Sequence, residues 1–173
     1  LHPTTWVDVS AIPALQRVSF QKEGIQVGGQ ITIARLMDIL KSQIGCEEAA
    51  KTRGFVALLD HLKHVANTQI RNEASLAGNI YIGTNQGFLS DFVLVLGALG
   101  AQVHVATLQD EDTAYNILEL PKDAELAPEA VYTSISIPYT NEQDHVFSYK
   151  IRRRKDDCHA IVNAAFKVSL EDG

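Results

Sequence analysis

Ile70-Arg71-Asn72-Glu73-Ala74-Ser75-Leu76-Ala77-Gly78-Asn79-Ile80 is the stretch on which the reading of this chain turns. Across Asn67 to Asn79 small and polar residues follow neither the helical nor the strand period, so the segment reads as a loop whose backbone has a task. Small residues let a main chain approach a bulky anion. Successive N–H groups can then form a concave nest for a pyrophosphate, with the Ser75 and Asn79 side chains adding hydrogen bonds. The same residues also suit an ordinary Gly-Asn turn. No Gly-Lys-Ser/Thr follows, which excludes a Walker A loop, and the GxGxxG spacing of a Rossmann turn is missing. A nucleotide bound here needs a different fold.

Working outward, Thr32 caps a predicted helix with Ile33, Leu36, Met37 and Leu40 at helical spacing, and Phe55, Leu58, Leu59, Leu62 and Val65 repeat the pattern. Toward the N-terminus, Arg17 to Gln21 and Gly24 to Val27 read as a hairpin turning near Glu23-Gly24. Trp6 to Val9 reads as a short strand ahead of the Ile12-Pro13 breaker. Downstream, Ser90 caps a helix over Asp91 to Leu99 that Gly100 ends. Strand-like segments follow at Gln102 to Thr107, Tyr115 to Leu118, Val131 to Pro138, Val146 to Ile151 and Ala160 to Leu170. Their alternation predicts an α+β fold, a mostly antiparallel sheet with helices on one face.

The 173 residues suffice for one core or two small subdomains. With 46% apolar and 21% charged residues the composition is that of an ordinary globular protein, and no apolar run approaches the roughly 20 residues of a membrane span. A net charge of −6 and a pI near 5.4 offer nucleic acid no basic stripe. Cys46 and Cys158 lie far apart without CxxC spacing, so neither a disulfide framework nor a cysteine-ligated cluster can be read, and a reducing, cytoplasmic setting is expected. The chain starts at Leu1, with Leu1 to Thr5 reading as the middle of something, and stops at Gly173 soon after a strand. A fragment at both ends is expected.

Few side chains invite chemistry. Asp91 is placed either to hydrogen-bond a ribose hydroxyl or merely to complement a helix N-terminus. Arg152-Arg153-Arg154-Lys155, followed by Asp156-Asp157, could oppose a phosphate or dock a neighbouring domain, although charge runs are usually solvated faces. Asp60, His61 and His64 lack the further ligand a transition metal needs. Cys158 and His159, as neighbours on a strand, would point to opposite faces and fail as a nucleophile and base. No catalytic residue and no metal ligand is assigned.

The Ile70 to Ile80 stretch resembles the IRNxASxGGNI loop in the FAD-binding domain of xanthine dehydrogenases, aldehyde oxidases and related molybdenum hydroxylases. Trp6 to Leu15, Val131 to Pro138, Ser148-Tyr149-Lys150 through Asp157 and Val162-Asn163-Ala164-Ala165-Phe166 resemble further segments of that family in the family's order. Nearly the whole chain is covered. The resemblance implies an FAD-binding subdomain of the PCMH-like type. It implies an oxidoreductase in which a molybdopterin cofactor and 2Fe-2S clusters, held elsewhere in the full-length chain, deliver electrons through FAD to NAD or oxygen, with a homodimer expected. Residues 1–145 would be the C-terminal part of the FAD-binding domain and 146–173 the start of the next subdomain. Carried over singly, Ser75, Leu76, Ala77, Gly78 and Asn79 match the loop around the FAD pyrophosphate. Asp91 and Lys150 match an acid and a lysine near the cofactor, Tyr132 stands at an apolar contact, and Val65 stands where the family has an aromatic.

The departures are specific. Ala77 replaces the first glycine of the family's pair, which would matter if that position required φ > 0. The stretch from Asn79 to Asp91 is longer than usual, and a Gly-Asn-Thr loop expected ahead of Thr5 is not in this sequence. Two other readings stay open. One is a different flavin oxidoreductase of the same wider fold, against which the Arg-Arg-Lys-Asp-Asp run with VNAAF argues; the other is a cofactor-free α+β interaction module.

Overall fold

A computed structural model describes residues 4–122, 125–127, 129–155 and 157–170; the expectations for Leu1 to Pro3, Asp156 and the last three residues lie outside them. The expected hairpin forms from β1 (Val18–Gln21) and β2 (Gly24–Gly28), paired from Val18↔Val27 to Gln21↔Gly24. With β3 (Gln102–Ala106), β4 (Thr113–Asn116) and β5 (Val131–Pro138) it builds a five-stranded sheet in the order β1-β2-β5-β3-β4, every pair antiparallel. Alternation works as expected: Ile25 and Val27, Val103 and Val105, and Ile135 and Ile137 all point into the core.

The helices supply the other side of that core. In α1 (Ile33–Cys46), Thr32 accepts a hydrogen bond from the Arg35 N–H, and Ile33, Leu36, Ile39 and Leu40 are buried. In α2 (Ala49–Leu62), Phe55, Leu58, Leu59 and Leu62 are buried. Ser90 caps α5 (Asp91–Leu99), and Gly100 ends it at φ 76°, a left-handed conformation that glycine adopts without a Cβ clash.

Three expectations are corrected. Asn67 to Asn79 is not a loop but two short helices, α3 (Thr68–Glu73) and the start of α4 (Leu76–Asn85), each opened by a side-chain cap: Asn67 accepts from Ile70 N–H and Ser75 from Gly78 N–H. Trp6 to Val9 forms no strand; Trp6 is 85% and Val7 78% exposed, so the alternation has no sheet to join. The last two strands, β6 (Asp144–Ile151) and β7 (Val162–Ser169), leave the main sheet and pair only with each other, packing on α2 through β6 and on α5 through β7.

The starts of α1 and α4 are laced together. Ile33 N–H donates to Ala74 O and Leu76 N–H to Ile31 O, both at 3.0 Å, around a Thr32↔Ser75 bridge. Ala77 N–H donates to Gly29 O at 2.9 Å. This approach requires glycine at 29, where a Cβ would stand 2.4 Å from Tyr132 O.

Candidate cofactor site

Beside that lacing lies a cavity of about 560 Å³ whose wall includes Val65, Ser75, Gly78, Asn79, Asp91 and Lys150. Residues far apart in the sequence therefore meet, and six of the nine candidate positions share one space. Ile70, Ile82 and Phe88 make its apolar side. Ala77 and Tyr132 line a second cavity, also of about 560 Å³, and Gly78 belongs to both. Leu76 is fully buried and serves the core.

The polar floor is built around Asp91. Its Oδ2 accepts from Lys150 Nζ, whose side chain is 2% exposed against 13% for Asp91, and Lys150 also donates to His64 O at 3.0 Å. Asn163 Nδ2 donates to Asp91 Oδ1 at 2.5 Å. A helix C-terminus concentrates partial negative charge. Past the end of α2, His64 O also accepts from Arg152 at 2.9 Å and Val65 O from Arg71 at 2.8 Å, so cations gather on two successive carbonyls, the first of which holds Lys150. His61, 2% exposed on α2, has an unpartnered Nε2. Burial pushes its imidazole below the ordinary value; Asp91 opposes this, and Lys150, His64 and Arg152 reinforce it. Burial, then Arg152, lowers His64 as well.

Toward α4, Ser90 Oγ donates to Asn79 Oδ1 at 2.7 Å while accepting from Val93 N–H, tying the starts of α4 and α5 together. Ala66 and Asp157, both lining the cavity, hold φ of 51° and 47°, conformations non-glycine residues rarely adopt. Asn67 Nδ2 donates to Asp157 Oδ2 at 2.7 Å and joins the two segments.

The backbone nest is not open as the sequence suggested. The N–H groups of Leu76 and Ala77 are used by Ile31 and Gly29, Gly78 donates to Ser75 Oγ, and Asn79 donates to Ser75 O. A phosphate would meet the Ser75 and Asn79 side chains and the bare face of Gly78, where an added Cβ would find only Ser75 Oγ, at 3.0 Å. Ala77 is not among the positive-φ residues, so its replacement of glycine brings no backbone strain. Cys158 and His159 lie in an irregular segment, not a strand. Hydrogen bonds from the Arg153 and Arg154 backbone lower the Cys158 thiol, and the His159 ring stacks edge-on against Phe88. Of the basic run, Arg153, Arg154 and Lys155 are exposed, while Arg152 turns in to His64.

Sequence reasoning missed Asn163, His61 and Arg71 as site builders. Asn163 left a signal as a polar residue beside Val162, Ala164 and Ala165, Arg71 stood inside the quoted motif, and His61 stood in a weak metal pattern. Elsewhere, Ser136 Oγ lies 2.8 Å from His104 Nε2, and His104 Nδ1 lies 3.0 Å from Asp112. The order is that of a nucleophilic relay. Ser136 sits on central strand β5, paired on both edges with Gln26 and Gln102, so its peptide neighbours are engaged and cannot stabilise an oxyanion.

The fold and the cavity define the class: an α+β domain whose small-residue helix start faces a buried acid–lysine pair. Residues 1–140 match the family described as the FAD binding domain in molybdopterin dehydrogenase, and the chain belongs to that family. It is 32% identical over 166 residues to aldehyde oxidase 4 of Mus musculus, covering 94% of this chain and 12% of that protein. It is 32% identical over 172 residues to xanthine dehydrogenase of Drosophila pseudoobscura pseudoobscura, covering 95% and 13%. The chain thus spans only a small part of the curated relatives it matches. Quinoline 2-oxidoreductase from Pseudomonas putida 86 shares the fold, with a TM-score of 0.74 at 22% identity over 100% of this chain and 56% of that one. A carbon monoxide dehydrogenase from Hydrogenophaga pseudoflava gives 0.68 at 19% identity, over 87% and 49%.

Set against FAD, the residues fit. The dinucleotide needs apolar wall for its rings, neutral side-chain donors for its phosphates and a countercharge, and the cavity lined by Ile70, Ile82, Phe88, Ser75, Asn79 and Lys150 provides each of these.

Proposed function

We propose that this chain forms part of the FAD-binding electron-transfer domain of a larger molybdenum hydroxylase, passing electrons from iron-sulfur clusters through FAD to NAD or oxygen. The observation that carries the reading is the meeting of Ser75, Gly78, Asn79, Asp91, Lys150 and Val65 around one cavity. Ser75, Gly78 and Asn79 would hold the pyrophosphate, Val65 and Lys150 the flavin end, and Ala77 and Tyr132 the part of the cofactor beyond Gly78. Asp91 acts through Lys150. Bound FAD would supply the redox chemistry; the protein orients it and excludes water.

The iron-sulfur and molybdopterin domains would belong to the same full-length chain, in a cytoplasmic homodimer. Residues 146–173 would open the next subdomain. The exposed face of the β6–β7 hairpin supports this division, with Phe147, Tyr149, Ile151, Val162, Phe166 and Val168 all about half exposed on a two-stranded sheet.

One observation favours the second reading, a cofactor-free interaction module: the Leu76 and Ala77 N–H groups are already bonded within the protein. Titrating the full-length protein with FAD and following flavin fluorescence decides between them. Binding that Gly78→Val or Asn79→Ala weakens at least about tenfold, or ~1.4 kcal/mol, supports the cofactor site; no binding at high micromolar FAD supports the module.

A further inference from the structure

Asp91 is gripped by a matched pair. Lys150 on β6 and Asn163 on β7 are direct register partners in the antiparallel hairpin, so their side chains share a face, and each takes one oxygen of the Asp91 carboxylate. An ionised carboxylate only accepts, so the Asn163 amide nitrogen must face it, which fixes the amide's orientation. Its Oδ1 is then left buried without a partner. An apolar side chain would avoid that cost, and Val162, Ala164 and Ala165 around it are apolar. Such a side chain would also leave Asp91 Oδ1 without its donor, so what the carboxamide does there, at the cost of its own unpartnered oxygen, is restrain Asp91.

That restraint reaches the cavity. Lys150 lines it, and two of the three ammonium donors go to Asp91 Oδ2 and His64 O. We propose that Asn163 is a positioning residue of the flavin site: by holding one oxygen of Asp91 it fixes the other, and with it the Lys150 ammonium at the cavity wall. The inference rests on the FAD reading. A flavin gains negative charge on reduction, so a fixed cation beside it favours the reduced form, and a cation freed to wander or screened by a mobile carboxylate favours it less.

The test is a double-mutant cycle of Asn163→Ala and Lys150→Met in the full-length protein, read by spectroelectrochemical titration of the flavin. Asn163→Ala should keep FAD bound yet lower the two-electron midpoint potential by a shift approaching tenfold in the oxidised-to-reduced ratio, ~30 mV. Lys150→Met should lower it further, and adding Asn163→Ala to Lys150→Met should change nothing more. An unchanged potential in Asn163→Ala, or an additive shift in the double variant, overturns the positioning role while leaving FAD binding intact. A wild-type protein that binds no FAD removes both readings. Should Asn163→Ala not fold, Asn163→Val, which suits a strand and has no side-chain donor for Asp91, provides the same comparison.

Discussion

Lys150 and Asp91 form a nearly water-free ion pair, and such pairs are costly to break from one side because the remaining charge is left buried. Lys150→Met is expected to destabilise the fold by about 3 kcal/mol, measured by urea unfolding, whereas removing the exposed Lys63–Asp60 pair should change stability by less than about 1 kcal/mol. His61 gives a pH dependence of definite sign. Its folded-state pKa is depressed below the unfolded value of about 6.5, so the unfolded chain binds the proton more readily, and stability is full above that value and lost as pH falls through it. Melting temperature should drop between pH 7 and 5, and His61→Leu should flatten that drop; an unaltered slope would assign it to other groups. These residue roles were unevenly legible. Asp91, Lys150 and the Ser75 to Asn79 stretch were visible through the family motif, while His61 read as half of a weak metal pattern. Its actual surroundings are set by β6 and α5, which contribute Lys150 and Asp91 to its field.

The starts of α3 and α4 show why elements can be harder to read than residues. They are six and ten residues long, interrupted at Ala74, too short for a hydrophobic period to register, so the stretch looked like loop. Their caps were nonetheless in plain sight as Asn67 and Ser75. Ser75→Ala should cost about 1 kcal/mol through loss of the cap and should also weaken FAD binding, a combination that Thr32→Ala, which uncaps α1, would share only in its stability part. Gly29→Ala should be worse, because its Cβ would press on the Tyr132 carbonyl and on Ala77, and the strain of forcing β2 away from α4 is expected to exceed about 1–3 kcal/mol. α1 and α5 were legible because each carries apolar positions at helical spacing and a terminus signal, Thr32 for one and Ser90 with Gly100 for the other, while α2 was legible from its apolar stripe alone. The allegiance of β6 was not, since alternation reveals a half-buried strand but not which sheet it joins.

Across the whole molecule, the five-stranded sheet and its helices close one core, while the β6–β7 hairpin spends one face on α2 and α5 and leaves the other apolar. An isolated polypeptide of these 173 residues is expected to self-associate through that face. Light scattering should show it, and Phe147→Lys with Phe166→Glu, a directly opposed pair, should restore monomers; association unchanged by the pair would place the sticky surface elsewhere. The general layout, helices over an antiparallel sheet, was recoverable from periodicity. The meeting of residues 65, 75, 78, 79, 91 and 150 around one cavity was not, because it depends on how the hairpin docks.

Asp91 waits 59 residues for Lys150 and 72 for Asn163. At ribosomal speeds of ~5–20 residues per second the acid is made about 4–14 s before its second clamp exists. A chain past β6 and still short of β7 holds Lys150 but not Asn163, so one oxygen of Asp91 is without its donor. A polypeptide stopped between residues 150 and 163 would therefore carry all five strands of its main sheet but only one of the two partners that hold Asp91.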